Sequence, residues 1–326
     1  MRAIVIKEPG DEDVLQIGEA PSPPLGAEEI RIRVRATSVN RADLLQRRGF
    51  YPPPPGASTI LGLECAGEVA EIGGAVPPRF SLGDRVMALL PGGGYAAEAV
   101  VHHGSAMRVP TALDLKAAGG FLEVFLTVHL NVFQIGGVKQ GGTILVHGGG
   151  SGVGTAAIQL AREAGVRCLV TAGTDEKCAR CTAFGASAAI NYNKEDFAAR
   201  VRELTSGEGV DVILDCVGGS YLEANLQSLK LDGALVVIGL TGGASGTLHM
   251  GLLLTRRLRV IGSTLRTRPV AEKALIVQGF EAQFGAALAA GRLQVPIERV
   301  FPLAQAADAH RLVASGTHFG KVLLEV

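Results

Sequence analysis

The chain has 326 residues, 47% of them hydrophobic, with a mean hydropathy of +0.29, which is enough to bury large cores in two domains. Its 31 basic and 31 acidic side chains balance to a formal charge of zero, so no overall positive field exists to recruit nucleic acid or an acidic membrane. No apolar stretch reaches the roughly 18 residues of a membrane span, and MRAIVIKEPG alternates like a strand instead of presenting a signal core, so a cytoplasmic location is expected.

Residues 1 to about 118 hold short alternating runs (AIVI, EEIRIRVRATSVN, AGEVAEIG, DRVMAL, YAAEAVVH) punctuated by Pro and Gly, with PPPP at 52–55. That pattern predicts a barrel-like, mostly antiparallel β domain. His102 and His103 are adjacent, and on a strand they would point to opposite faces and could not share one ion.

The character changes at TILVHGGGSGVGTAAIQLARE, residues 143–163, where an apolar strand breaks into glycines and resumes as an amphipathic helix. Such a turn aims backbone N–H groups at a phosphate, favoured by the positive end of the following helix. With Gly154 as the close-packing third glycine, Ser151 stands where the second glycine of the dinucleotide fingerprint would be. A tight strand–helix connection without a ligand is the alternative.

The chain beyond this turn is periodic. VRCLVTAG (166–173), a helix over Lys177 to Phe184, AAINY (188–192), a helix over Lys194 to Thr205, VDVILDCVGG (210–219), GALVVIGL (233–240) and LRVIGSTL (258–265) alternate as buried parallel βαβ units do. A doubly wound parallel sheet of six strands is predicted over residues 120–268. The place where an NAD-selective site carries its ribose acid falls near Ala172, followed by Gly173, Thr174 and Lys177, which suit a 2′-phosphate; Asp175 and Glu176 argue the other way. NADP is the expected cofactor.

The arginines Arg256, Arg257, Arg259, Arg266 and Arg268 flank a predicted strand and read as a solvated edge or a phosphate contact. Five cysteines, an odd number, suggest reduced thiols, and the Cys178/Cys181 pair lies in a predicted helix with no second pair at zinc spacing. After a helix at about 270–290 the tail returns to the β idiom, and KVLLEV has no place in a six-strand parallel sheet. Residues 1–119 and 269–326 are therefore assigned to one domain and 120–268 to the other, with the active site expected in the cleft between them. The last two strands of the sheet leave an apolar edge, from which a homodimer is expected.

The segments SVNRADLLQRRGFYP, LGLECAGEVAEIG, GDRVMAL and HGGGSGVG, in this domain order, resemble the medium-chain dehydrogenase/reductase superfamily. The chain is similar to its zinc-free quinone oxidoreductases, closest in pattern to the tumour-suppressor-inducible group through VTAG, ILDCVGGSY and GKVLLE. This implies an α/β fold in which a Rossmann domain accompanies a GroES-like β-rich barrel. Where the zinc alcohol dehydrogenases of this superfamily carry catalytic Cys and His ligands, the resemblance places Asn40 and Leu63, and residues 86–110 contain no Cys, so their structural zinc lobe is also missing. Glu64 remains and reads as a buried structural acid.

Without a Lewis acid, hydride would pass to an acceptor that is already electrophilic, a quinone or an alkene conjugated to a carbonyl. The resemblance implies Asn40 and Asp43 near the nicotinamide, Thr127 beside its carboxamide, and Gly150, Ser151, Gly152 and Val153 at the pyrophosphate. It implies Gly173, Thr174, Lys177 and Tyr192 at the adenosine phosphate, Val217 and Leu240 also against the cofactor, and Phe319, Gly320 and Lys321 closing over it. Lys321 reads equally as a surface lysine. Tyr51, stiffened by the prolines after it, is the candidate proton donor to a quinone oxygen, with Ser151 the second residue considered for catalysis. An enal or enone reductase, or a non-enzymatic NADPH-binding or RNA-binding protein, remain as alternatives.

Overall fold

The computed structural model describes all 326 residues and divides into two compact units, Met1–Leu126 with Leu265–Val326, and Thr127–Thr264.

In the second unit, six strands form one parallel sheet: β1 (Thr143–His147), β2 (Arg167–Ala172), β3 (Ala188–Asn191), β4 (Val210–Asp215), β5 (Leu229–Val237) and β6 (Arg259–Gly262). Their order is β3-β2-β1-β4-β5-β6, so the direction of winding reverses between β1 and β4, where open α/β sheets bind ligands. Register puts Leu145 beside Leu169 on one side and Ile213 on the other. With Ile190, Leu226 and Leu235 these form a core in which each side chain is almost fully excluded from water, worth roughly 1.5–3 kcal/mol apiece.

Helix α1 (Gly152–Glu163) starts at Ser151, whose side chain accepts from the Gly154 amide, and buries Ala156, Ala157, Ile158, Leu160 and Ala161. A Cβ on Gly154 would lie 2.4 Å from the carbonyl oxygens of Gly148 and Gly149, so only glycine lets the helix start this close to the turn. Helix α2 (Asp175–Ala183) is capped by the Thr174 hydroxyl, which accepts from the Lys177 amide. Several predicted elements are longer than those observed. The third helix begins at Phe197, because Asp196 caps it and the Lys194 and Glu195 amides turn back to the Asn191 carbonyl. Strand β4 stops at Asp215, whose carboxylate accepts from the amides of Val217 and Gly218 and bends the chain.

The first unit is built on a seven-stranded sheet. Along one path lie Ile297–Pro302, Lys321–Glu325, Glu29–Ser38, Glu64–Ile72, Arg85–Leu89 and Ala106–Arg108, while Glu98–His102 pairs separately with Glu29–Ser38. Every pair is antiparallel except the first, where the two C-terminal strands run parallel. The C-terminal strand Lys321–Glu325 pairs in this sheet with Leu323 opposite Ser38. One core gathers Ile30, Ile32, Val34, Val69 and Val86, and another Ile4, Leu44, Leu61, Phe301 and Leu324.

The adjacent histidines depart from expectation. Their rings stack with centroids 4.5 Å apart, because alternation ends at His102 and a 3₁₀ turn, His103–Ser105, begins; the His102 Nδ1 accepts from the Gly104 amide. Cys178 and Cys181 lie on α2 with Cys181 buried, and no three His, Cys, Asp or Glu side chains are grouped to hold a metal ion.

Candidate active site

Polar side chains collect inside the first unit where strand ends and helix starts meet. The strand Glu29–Ser38 ends, and the chain turns at Asn40 into the short helix Arg41–Arg47 through a capping box. Asp43 Oδ2 accepts from the Asn40 amide at 2.8 Å, Oδ1 from the Gly62 amide at 3.1 Å, and the Tyr95 hydroxyl lies 3.4 Å away. Asp43 is 0% exposed and engaged as a cap; burial pushes its pKa up to about 6 against those N–H bonds. Behind it Tyr95 meets His310 at 3.0 Å, His310 meets Arg47 at 3.2 Å, and Arg47 pairs with Glu12 at 2.6 Å.

Glu64 opens the next strand and is the hub of the cluster. Its Oε1 accepts from Ser38 Oγ (2.6 Å), Asn40 Nδ2 (3.0 Å) and Lys321 Nζ (2.9 Å), and its Oε2 from the Glu123 amide (3.0 Å). The expectation of a buried, hydrogen-bonded acid describes it well. Lys321 also donates to Asn40 Oδ1 at 2.7 Å and is 4% exposed, so it is not a surface lysine. Phe319, likewise buried, donates its amide to Glu298. Asn40 is held by both members of the ion pair, which fixes its amide plane.

Tyr51 is half-buried, and its phenol makes no hydrogen bond. Burial, with the Glu123 carboxyl second, raises its pKa, so it stays a phenol at neutral pH. The guanidinium of Arg266 lies 5.3 Å over the Tyr51 ring. Arg266 is not part of a solvated edge. At 3% exposure it donates to the Pro91 carbonyl (2.7 Å), Gln46 Oε1 (2.7 Å) and the Tyr51 carbonyl (3.3 Å), and buried Lys273 donates to its carbonyl at 2.7 Å. Glu123, in the first turn of the helix Leu122–Val128, anchors its backbone amide on Glu64. Sequence reasoning missed Glu123 and Lys273 and misplaced Arg266. In LEVFLTV an acid in a first turn reads as a solvated helix start, and only the fold brings its amide to Glu64, 59 residues away in the chain.

In the second unit the turn at 148–154 leaves the first-turn amides of α1, those of Gly152 and Val153, without partners inside the helix, so they can take an anion. Ser151 serves as the N-cap, which gives its hydroxyl a structural task and no base to activate it. At the end of β2, a Cβ on Gly173 would sit 2.6 Å from the Tyr192 hydroxyl, so this glycine admits the phenol. Asp175, the possible ribose acid, is instead bonded by Asn191 Nδ2 at 2.6 Å and paired with Lys194, which hold its pKa below the usual carboxylate range. Tyr192 and Leu240 are exposed, at 44% and 56%, and Val217 lies in the turn after β4. Thr127, on the helix Leu122–Val128, has its carbonyl bonded by Asn131 Nδ2 at 2.8 Å.

A parallel sheet with a glycine turn at its first strand, in one chain with a β-rich unit holding a buried ionic cluster, is the architecture of a two-part dinucleotide-binding fold. Residues 26–137 match the alcohol dehydrogenase GroES-like domain and residues 152–277 the zinc-binding dehydrogenase domain. A 2-haloacrylate reductase from Burkholderia sp is 31% identical over 338 residues, covering 99% of this chain and 98% of that protein. Among solved structures, quinone oxidoreductase of Pseudomonas syringae pv. Tomato DC3000 is 30% identical with a TM-score of 0.89, over 100% of this chain and 99% of that one. Escherichia coli quinone oxidoreductase complexed with NADPH is 27% identical (TM-score 0.87), and an NAD-dependent alcohol dehydrogenase is 30% identical (TM-score 0.86), each over 100% of both chains. The chain also matches mycobacterial polyketide synthases such as the mycocerosic acid synthase-like polyketide synthase of Mycobacterium tuberculosis, at 31% identity over 98% of this chain, but spans only 15% of that protein's length. The chain belongs to the medium-chain dehydrogenase/reductase superfamily.

Proposed function

We propose that this protein is an NADPH-dependent, zinc-independent quinone oxidoreductase, of the kind the tumour-suppressor-inducible group represents. The observation that carries the reading is the state of Glu64. Asn40 and Leu63 replace the two neighbouring ligand types, and Glu64 is locked to Lys321, Ser38 and Asn40, so the donor set suits an internal ion pair and not a tetrahedral metal. With no Lewis acid to polarise an alcohol or ketone, the acceptor must be electrophilic by itself.

NADPH fits the second unit. Gly150, Gly152 and Val153 would hold the pyrophosphate on the α1 amides, with Ser151 fixing the turn. Gly173, Thr174, Lys177 and Tyr192 would take the 2′-phosphate, with Asp175 held away by Asn191 and Lys194. Thr127, Val217 and Leu240 would flank the cofactor. When bound, the cofactor supplies a hydride. The protein orients the acceptor, excludes water and keeps the Tyr51 phenol protonated as a donor to the oxygen on which charge develops. Removing the ammonium in Lys177→Ala is expected to weaken NADPH binding about tenfold, roughly 1.4 kcal/mol, while leaving NADH binding unchanged. Calorimetry with both cofactors checks this, and equal losses for the two would remove Lys177 from the phosphate site.

The 2-haloacrylate reductase, similar over its full length, favours a second reading in which the acceptor is a conjugated alkene. NADPH absorbance followed with an ortho-quinone, with a medium-chain enal and with neither separates the two. Faster turnover of the quinone is expected; saturation of the enal alone would select the second reading, and no oxidation with either would leave a cofactor-binding protein.

A further inference from the structure

The charged groups that act on Glu123 and on Tyr51 are each engaged with another partner, and Glu123 alone is not. Lys321 is bonded to Glu64 and Asn40, Lys273 to the Arg266 carbonyl, and Arg266 to Pro91, Gln46 and the Tyr51 carbonyl. Asp43 is closed off as a helix cap, and Glu64 accepts four bonds. The Glu123 carboxyl makes no hydrogen bond and no ion pair; only its backbone amide is engaged, with Glu64. On the same helix Phe125 stacks on Phe121 with ring centroids 3.9 Å apart and meets Phe280 edge-on, which fixes the helix that carries the acid.

We propose that Glu123 is the proton reservoir of the site, giving up the proton that the acceptor takes on once it has received hydride. The assignment rests on the functional reading above for its acceptor, and on this structure for the acid. Hydride brings two electrons and one hydrogen to a quinone. One further O–H bond must form on the acceptor oxygen, so the Glu123 O–H breaks, leaving a carboxylate that recovers its proton from water; an alkene would take the same proton on carbon. The phenol of Tyr51, equally without a hydrogen bond, lies in the electrostatic reach of the acid.

The surroundings keep the acid neutral at rest. Burial first, then the Glu64 carboxylate, push the Glu123 pKa up to about 8, with Asp43 acting in the same direction and Lys321 and Lys273 in the other. An acid poised near the working pH is the effective kind of proton donor.

The proton can be observed without turnover. Carbon-13 NMR of glutamate-labelled protein, titrated from about pH 5 to about pH 10, should show one side-chain carboxyl changing charge near pH 8 that is missing in Glu123→Gln. Stability follows the same sign. The folded state holds this proton where the unfolded chain has lost it, so the wild type should lose stability relative to Glu123→Gln as pH rises from about 4.5 to about 8 and then level off. In turnover, Glu123→Gln should bind NADPH as tightly as the wild type and reduce the acceptor about 10²-fold more slowly. It should also lack the decline of kcat above about pH 8, and Glu123→Asp should restore that limb in part. A spectrum in which no carboxyl unique to Glu123 titrates above about pH 6.5, or an E123Q variant with the wild-type rate and pH limb, would overturn the assignment. A wild type that turned over neither quinone nor enal would instead defeat the functional reading, and the NMR titration would then decide on its own whether Glu123 holds a proton.

Discussion

Replacing Lys321 by methionine is expected to destabilise the protein by about 3–5 kcal/mol, the cost of leaving a buried carboxylate without its countercharge. The ammonium is 2.9 Å from Glu64 and 2.7 Å from Asn40, and the two charged side chains are only 4% and 1% exposed, so water cannot replace it. Methionine keeps the volume and removes the charge, which separates electrostatics from packing. The double variant E64Q/K321M should recover much of the loss, since neither member then carries a charge. Urea unfolding of the wild type, both single variants and the double variant measures this. A K321M deficit below about 1 kcal/mol would mean that the pair behaves like an exposed one.

The second large effect is expected at Gly154. Adding one methyl in Gly154→Ala puts carbon 2.4 Å from two carbonyl oxygens of the same turn, Gly148 and Gly149, and these are backbone atoms with no rotamer to yield. Helix α1 must move away from the turn, costing roughly 1–3 kcal/mol in packing and taking the Gly152 and Val153 amides off their anion position. Binding of NADPH should weaken by about 100-fold or more, about 2.7 kcal/mol. Calorimetry, with circular dichroism to confirm that the helices persist, distinguishes this from general unfolding. Retained affinity would show that the phosphate does not rest on this turn.

Much of this architecture can be seen in the residues themselves. The six strands of the parallel sheet announce themselves as apolar β-branched runs, because a strand covered on both faces has no polar side to disguise it. KVLLEV belongs with the first unit because the parallel sheet has no seventh place for it. Glu64 could be read as a structural acid from the loss of its neighbours' ligand chemistry. The electrostatic cluster could not. Lys321 and Glu64 stand 257 residues apart in the chain, and Arg266 reaches Gln46 across 220. No local pattern distinguishes an arginine that will be buried by the tertiary fold from one left at a strand edge. The capping role of Asp43 is local and readable: three residues after Asn40 an acid completes a capping box. His102 and His103 show the limit of periodicity, which assigns faces only while the strand continues.

The central claim is hydride transfer from NADPH to a conjugated acceptor with no metal taking part. The most direct measurement is quinone-dependent oxidation of NADPH by protein dialysed against a strong chelator, with its zinc content determined on the same sample. Turnover that persists with negligible zinc is predicted; turnover that disappears on chelation and returns with stoichiometric zinc would contradict it.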